Sequence, residues 1–178
     1  MNTTDFSSSL RLERVDPRSP LAARLIADLS AELGARYNYD GAGHFKPEDA
    51  LGPGACFIAA SLDDRPAGCG ALRPFVLPEP GYTYFGQEGQ AGPVPGVGEV
   101  KRMYVAPELR GLRIAQRILE ALEAAGREFG YHTLVLETGI LQPEAIRLYQ
   151  RFGFTPIPLF PPYAQRDNSL CFEKSLIA

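Results

Sequence analysis

The chain has no tryptophan, two methionines, two histidines and three cysteines among its 178 residues. The histidines, His44 and His132, stand far apart. Without a His/Cys cluster, no metal site and no zinc chemistry is expected. Cys56, Cys69 and Cys171 are odd in number and form no CxxC pair. That pattern argues against a disulfide framework and for a reducing compartment. Neither histidine can be paired with a cysteine from sequence, so a cysteine nucleophile lacks its base. No apolar run approaches the roughly 18 residues that a membrane span needs. Residues 1–9 are polar and lack the basic-then-apolar pattern of a signal peptide. A cytoplasmic protein without a membrane partner is therefore expected. Positive charge is also short, with 18 Lys and Arg against 21 Asp and Glu, a net charge of −3 and a pI near 5.5. This opposes nucleic-acid binding. The Walker, dinucleotide-binding and GxSxG patterns are all missing.

What remains is a globular composition, 45% hydrophobic and 22% charged, with a length that suits one domain over residues 1–178. A domain of this size buries roughly 70% of its unfolded surface. Leu10–Val15 reads as a strand. Ser19 and Pro20 open a helix as N-cap and first residue. Leu21, Leu25, Leu29 and Leu33 recur at helical spacing, and Gly34 is the expected stop. Residues 55–62 and 67–76 read as a hairpin turning at 63–66. Residues 77–97 are rich in glycine and proline and carry Tyr82, Tyr84 and Phe85. They read as a long loop insertion, either a partly ordered wall of a site or a mobile surface segment.

Residues 98–105 form a strand in which Glu99, Lys101, Met103 and Val105 share one face, with Val100, Arg102 and Tyr104 on the other. Ile114, Ile118, Leu122, Ala125 and Phe129 mark a long amphipathic helix ending at Gly130, with Glu123 and Arg127 paired on its outer face. Residues 133–137 are a nearly continuous apolar strand, as in a sheet covered on both faces. This strand–helix–strand unit should be right-handed. A helix over 143–152, a short strand near 154–157 and a last strand over 169–176 complete a mixed α/β order.

The stretch from Glu99 to Ala115 carries the chemistry. A strand passes through a glycine turn directly into a helix N-terminus, where unpaired N–H groups and a partial positive charge gather. Arg110, Arg113 and Arg117 stand there against one acid of the turn, Glu108. This is either a cradle for a phosphate or pyrophosphate or an ordinary turn with solvated arginines.

Arg110-Gly111-Leu112-Arg113-Ile114-Ala115 resembles the [QR]-x-x-G-x-[GA] loop of the GNAT superfamily of N-acetyltransferases. Arg113 stands where that pattern has its central glycine. Ala145, Leu148, Tyr149, Gly153 and Phe154 resemble the superfamily's A-x-x-L-Y-x-x-x-G-F helix and strand. The two motifs occur in the right order, within residues 98–157.

The resemblance implies a mixed, mostly antiparallel sheet flanked by helices, with a splayed parallel pair of strands holding acyl-CoA. It implies acetyl transfer from acetyl-CoA to a primary amine of a small molecule or peptide, with no metal. Met103, Tyr104 and Val105 would pair with the pantetheine arm, Arg110, Gly111, Leu112, Arg113, Ile114 and Ala115 would hold the pyrophosphate, and Gln142 would touch the arm. Glu99 is the expected general base, with Glu137 in reserve, and Tyr149 the general acid at the sulfur. The N–H near Met103 would support the oxyanion.

The acceptor site is expected from the first helix and its loop, the 77–97 insertion and residues 158–167. Tyr37, Asn38, Tyr39, Asp40, Tyr82, Tyr84 and Tyr163 form the pool, with Asp40 suited to a cationic acceptor. A non-catalytic acyl-CoA-binding regulator on the same fold is the alternative. The oligomeric state, a homodimer included, stays open.

Overall fold

Leucines at helical spacing and a serine–proline start produce α1, Pro20–Tyr37, in a computed structural model that describes residues 9–38, 45–78, 82–84 and 87–177. The Ser19 hydroxyl accepts from the Ala22 N–H at 3.4 Å. Ala22, Leu25 and Leu29 face the core. The helix does not stop at Gly34 but runs to Asn38, a left-handed cap with φ 56°. A glycine inside a helix costs about 1 kcal/mol relative to alanine. Contacts of the extra turn offset it. Arg36 bonds Glu32 and Glu144 at 3.0 and 2.6 Å, and the Tyr37 hydroxyl accepts from the Leu141 N–H at 3.1 Å.

Seven strands form one sheet in the order β1-β2-β3-β6-β7-β9-β8. They are β1 Leu10–Val15, β2 Cys56–Leu62, β3 Arg65–Leu77, β6 Gly92–Val105, β7 Thr133–Gly139, β8 Thr155–Ile157 and β9 Ser169–Ser175. Among the described residues only β6 and β7 are parallel, and every other pairing is antiparallel.

Much of the stretch expected as loop is strand. β3 continues to Leu77 and pairs with the start of β6, Val76 opposite Pro93 and Leu77 opposite Gly92. Beyond them β4, Tyr82–Tyr84, and β5, Gln87–Gly89, form a small hairpin. Pro93 and Pro95 are tolerated because β7 joins β6 only from Val97 onward. The earlier residues lie on an open edge, where a missing N–H breaks no ladder.

The strict alternation expected along residues 98–105 also fails. Cys69 pairs with Tyr104 but Ala71 pairs with Lys101, so two residues of β6 oppose Gly70 alone. Arg102 takes φ 56° at this bulge. An extra residue shifts the side-chain period by one. Met103 and Val105 therefore join Val100 in the core under the helix of residues 114–128, while Tyr104 joins the core under α1. A Cβ on Gly70 would lie 2.8 Å from Ile118, Leu122 and Met103.

The helix α2, Ile114–Glu128, buries Ile114, Ile118, Leu119, Leu122 and Ala125, each large side chain contributing about 1.5–3 kcal/mol. Glu123 is not on its outer face. It is 7% exposed and accepts from Lys174 of β9 at 2.5 Å, with Arg127 more distant at 3.8 Å. The third helix, α3 Pro143–Arg151, packs on the same core through Tyr149, Ile146 and Leu148. The opposite sheet face is covered by α1 and, further along, by Phe160 and Tyr163 over Phe75, Val97 and Val135. Cys56, Cys69 and Cys171 are buried free thiols.

Candidate active site

β6 and β7 stay paired only from Val97 opposite Thr133 to Val100 opposite Leu136. Beyond that point β6 keeps β3 and β7 keeps β9, and the two strands part. The backbone of residues 101–105 that faces the gap has no strand partner among the described residues. Buried backbone groups require partners, so the gap suits a ligand with amides of its own.

Two cavities meet there, of about 580 and 130 Å³. Leu29, Met103, Gln142 and Tyr149 line both.

The larger cavity is walled by Met103, Tyr104 and Val105 of β6, by Arg110, Gly111, Arg113, Ile114 and Ala115 at the turn into α2, and by Gln142. These are the expected cofactor residues except Leu112, whose side chain points outward and is 57% exposed. The turn is built by its backbone. Gly111 has φ 86°, and Arg113 caps α2 with φ 61°, a left-handed conformation that usually belongs to glycine. Arg110 reaches back to the Val105 carbonyl at 3.1 Å and across to Glu32 at 2.5 Å. Glu32 also binds Arg36, and Arg36 binds Glu144, so α1 and α3 are tied across the cavity. Arg113 is exposed and makes no ion pair with the described residues.

The smaller cavity takes its walls from α1, the bulge, the end of β7 and residues 163–169. Tyr37 lies over Gly139; a Cβ there would stand 1.9 Å from its hydroxyl. Glu137 accepts from the Ser169 hydroxyl at 2.6 Å and is partly exposed to the cavity.

Glu99 is placed differently from the expectation. It is 3% exposed and does not line either cavity. One oxygen takes Arg73 at 2.8–2.9 Å, and the other lies 3.4 Å from Lys101. Arg73 in turn binds Asp49 at 2.8 Å, and Lys101 donates to Tyr163. Burial opposes the charge on Lys101, but Glu99, Tyr163 and Glu137 together outweigh it and hold the ammonium above its ordinary range.

Tyr149, by contrast, stands at the junction of the cavities. Burial first, and then nearby Glu137, push its phenol far above the usual tyrosine range.

Of the expected acceptor pool, Tyr37 and Tyr163 line the smaller cavity, and Asn38 does not. Tyr39 and Asp40, and the side chains of Tyr82 and Tyr84, lie outside the described residues. Sequence reasoning missed Phe45, Arg102, Thr138, Arg166, Asn168 and Ser169 in the wall, and Glu32 beside Arg110. None lies in a recognisable motif. The one available signal was Glu99 and Lys101 two apart on a strand, a charged pair on a face that must be covered.

A family model described as "Acetyltransferase (GNAT) family" matches residues 23–154. The chain is 32% identical over 168 residues to the "IAA acetyltransferase" of Azospirillum brasilense, covering 94% of this chain and 99% of that one. The fold matches the crystal structure of an acetyltransferase of the GNAT family from Staphylococcus aureus MU50. That match has a TM-score of 0.69 and 15% identity, over 95% of this chain and 100% of that one. It also matches a GNAT family acetyltransferase from Elizabethkingia anophelis with acetyl-CoA bound, at TM-score 0.58 and 15% identity, over 93% and 97% of the two chains. The parted strands, the glycine turn and the family match converge: this chain belongs to the acetyltransferase (GNAT) family.

Proposed function

We propose that the chain moves an acetyl group from acetyl-CoA to a primary amine, with the cofactor in the larger cavity and the amine in the smaller one. One observation carries this reading: a buried phenol, Tyr149, stands where the two cavities meet. The larger cavity fits an acyl-CoA. It offers an open strand edge for the amides of pantetheine and a helix N-terminus with Arg110 and Arg113 for phosphates. When bound, the cofactor supplies an activated acetyl thioester.

Glu137 is the base we assign, in place of Glu99. It lines the acceptor cavity, whereas Glu99 is enclosed by Arg73 and Lys101. Glu137 takes one proton from the amine, directly or through water, as the N–C bond forms and the C–S bond breaks. The N–H groups of β6 near Met103 face the developing oxyanion. Tyr149 stabilises the departing sulfur by donating a hydrogen bond. The departing sulfur would draw its proton from solvent, with Tyr149 as hydrogen-bond donor. Glu99 holds Lys101 and Arg73 in place.

The test is release of CoA thiol from acetyl-CoA over a panel of small amines. Tyr149→Phe removes a hydrogen bond to a charged group worth about 1.5–3 kcal/mol. It should lower kcat by roughly 10- to 100-fold and leave CoA affinity unchanged. Full turnover in that variant would remove Tyr149 from the chemistry. CoA binding without turnover on any amine would favour a non-catalytic CoA-binding protein.

A further inference from the structure

Ser169 and Glu137 both line the smaller cavity, and a hydrogen bond joins them. The Ser169 hydroxyl donates to Glu137 Oε1 at 2.6 Å, the short length of a charge-assisted bond. The sheet register sets this contact. Glu137 of β7 pairs with Cys171 of β9, and Gly139 pairs with Ser169. Ser169 is thus the diagonal neighbour of Glu137 on one face of the sheet. Gly139 puts no side chain between them, and Tyr37 lies over it instead. The ends of the two strands are held together where the Ile140 N–H donates to the Asn168 carbonyl at 3.0 Å.

Ser169 is 7% exposed. Leaving a buried hydroxyl unpaired costs more than a typical hydrogen bond gains, so its proton is committed to Glu137. Glu137 has no other hydrogen-bond partner and no ion pair among the described residues. Its two oxygens therefore differ. Oε1 is held by Ser169, whereas Oε2 has no partner among the described residues and is not sealed from solvent. Oε2 is the oxygen open to a ligand in the cavity that Glu137 lines.

We propose that Ser169 is the positioning residue of the base: it pins Oε1 and so presents Oε2 to the acceptor amine. This rests on the acetyltransferase reading above, with Glu137 as its base. An unanchored glutamate gives up rotamer freedom each time it reaches for a proton, and the serine hydroxyl fixes that geometry beforehand.

Initial rates are measured on an amine that the unsubstituted chain acetylates, first with acetyl-CoA saturating and then with it varied. Ser169→Ala should lower kcat by about 10- to 100-fold and leave the KM for acetyl-CoA and the Tm nearly unchanged. Ser169→Thr, which keeps the hydroxyl, should recover most of the loss. In the Glu137→Gln background Ser169→Ala should cost little more, because a residue that acts through Glu137 has nothing left to position. A merely structural serine would instead move Tm and leave kcat alone. Full kcat in Ser169→Ala, or an undiminished further loss in the Glu137→Gln background, would overturn the proposal and leave the acetyltransferase reading standing. Full turnover in Glu137→Gln would remove the base, and the proposal with it. No turnover of the unsubstituted chain on any amine would remove the acetyltransferase reading and everything resting on it.

Discussion

The two halves of the cleft are built in different ways. The cofactor half comes mainly from two local stretches, β6 through the turn into α2 and Gln142 through α3, and offers backbone groups and a helix terminus. The acceptor half is assembled from α1, Phe45, the bulge, the end of β7 and residues 163–169, and it offers charged side chains. Backbone geometry can be specified by a few local residues and still serve one unchanging ligand. A set of side chains from five segments needs the whole fold in place, and it can change residue by residue with the acceptor.

The sharpest way to break this contrast is at the buried charge cluster behind the acceptor wall. Glu99→Gln leaves Lys101 without its carboxylate and Arg73 with Asp49 alone, at a position 3% exposed. Breaking such a pair costs about 3–5 kcal/mol, which is a Tm drop of roughly 6–20 °C for a chain of this length. A change below about 1 kcal/mol would show that the cluster is effectively solvated. Glu137→Gln is the next largest effect. It should lower kcat/KM by roughly 100- to 1000-fold, with CoA affinity unchanged and only the Ser169 hydrogen bond lost from stability. If Glu99→Gln, corrected for folding, lost more activity than Glu137→Gln, the assignment of the base would reverse.

Alkaline titration sharpens the same boundary. Burial pushes Tyr149 up, so the folded state favours the neutral phenol. Stability from this group is complete below the unfolded value near pH 10 and is lost as pH rises through the folded value. Tyr149→Phe should therefore show a shallower fall in Tm above about pH 10 than the unsubstituted chain. The smallest effect belongs to the cofactor half. Arg113→Gly relieves a left-handed backbone, worth about 1 kcal/mol, and should raise Tm by roughly 2–4 °C. CoA affinity should fall at the same time through loss of a charge beside the phosphates. An unchanged Tm would mean that the turn relaxes around Arg113.

The contrast also explains what was legible in the sequence. Residues 110–115 and 145–154 sit within single local motifs, so the turn was readable from the residues themselves, and Tyr149 and the splayed strands from the family resemblance those motifs carry. The bulge was not. Nothing in Lys101-Arg102-Met103 breaks the alternating pattern, and the shift arises where Gly70 on the neighbouring strand meets two residues. Gly34 carries a stop signal that Arg36 and Tyr37 override through partners more than a hundred residues away. Glu123 looks like a solvated helix charge until Lys174 arrives from β9. Pro93 and Pro95 suggest a loop because the missing neighbour on that edge is a property of the sheet. Each miss depends on a distant segment, as do the acceptor-wall residues that went unnoticed.

The central claim is that the gap between β6 and β7, with the turn at 110–115, is a coenzyme A site. Thermal unfolding with acetyl-CoA, CoA and ATP tests it most directly. Acetyl-CoA or CoA at about 100 times its Kd should stabilise the chain by roughly 2.7 kcal/mol, a rise of about 5–10 °C, while ATP, which has phosphates but no pantetheine arm, should give little. No rise with either thioester or thiol, or an equal rise with ATP, would contradict it.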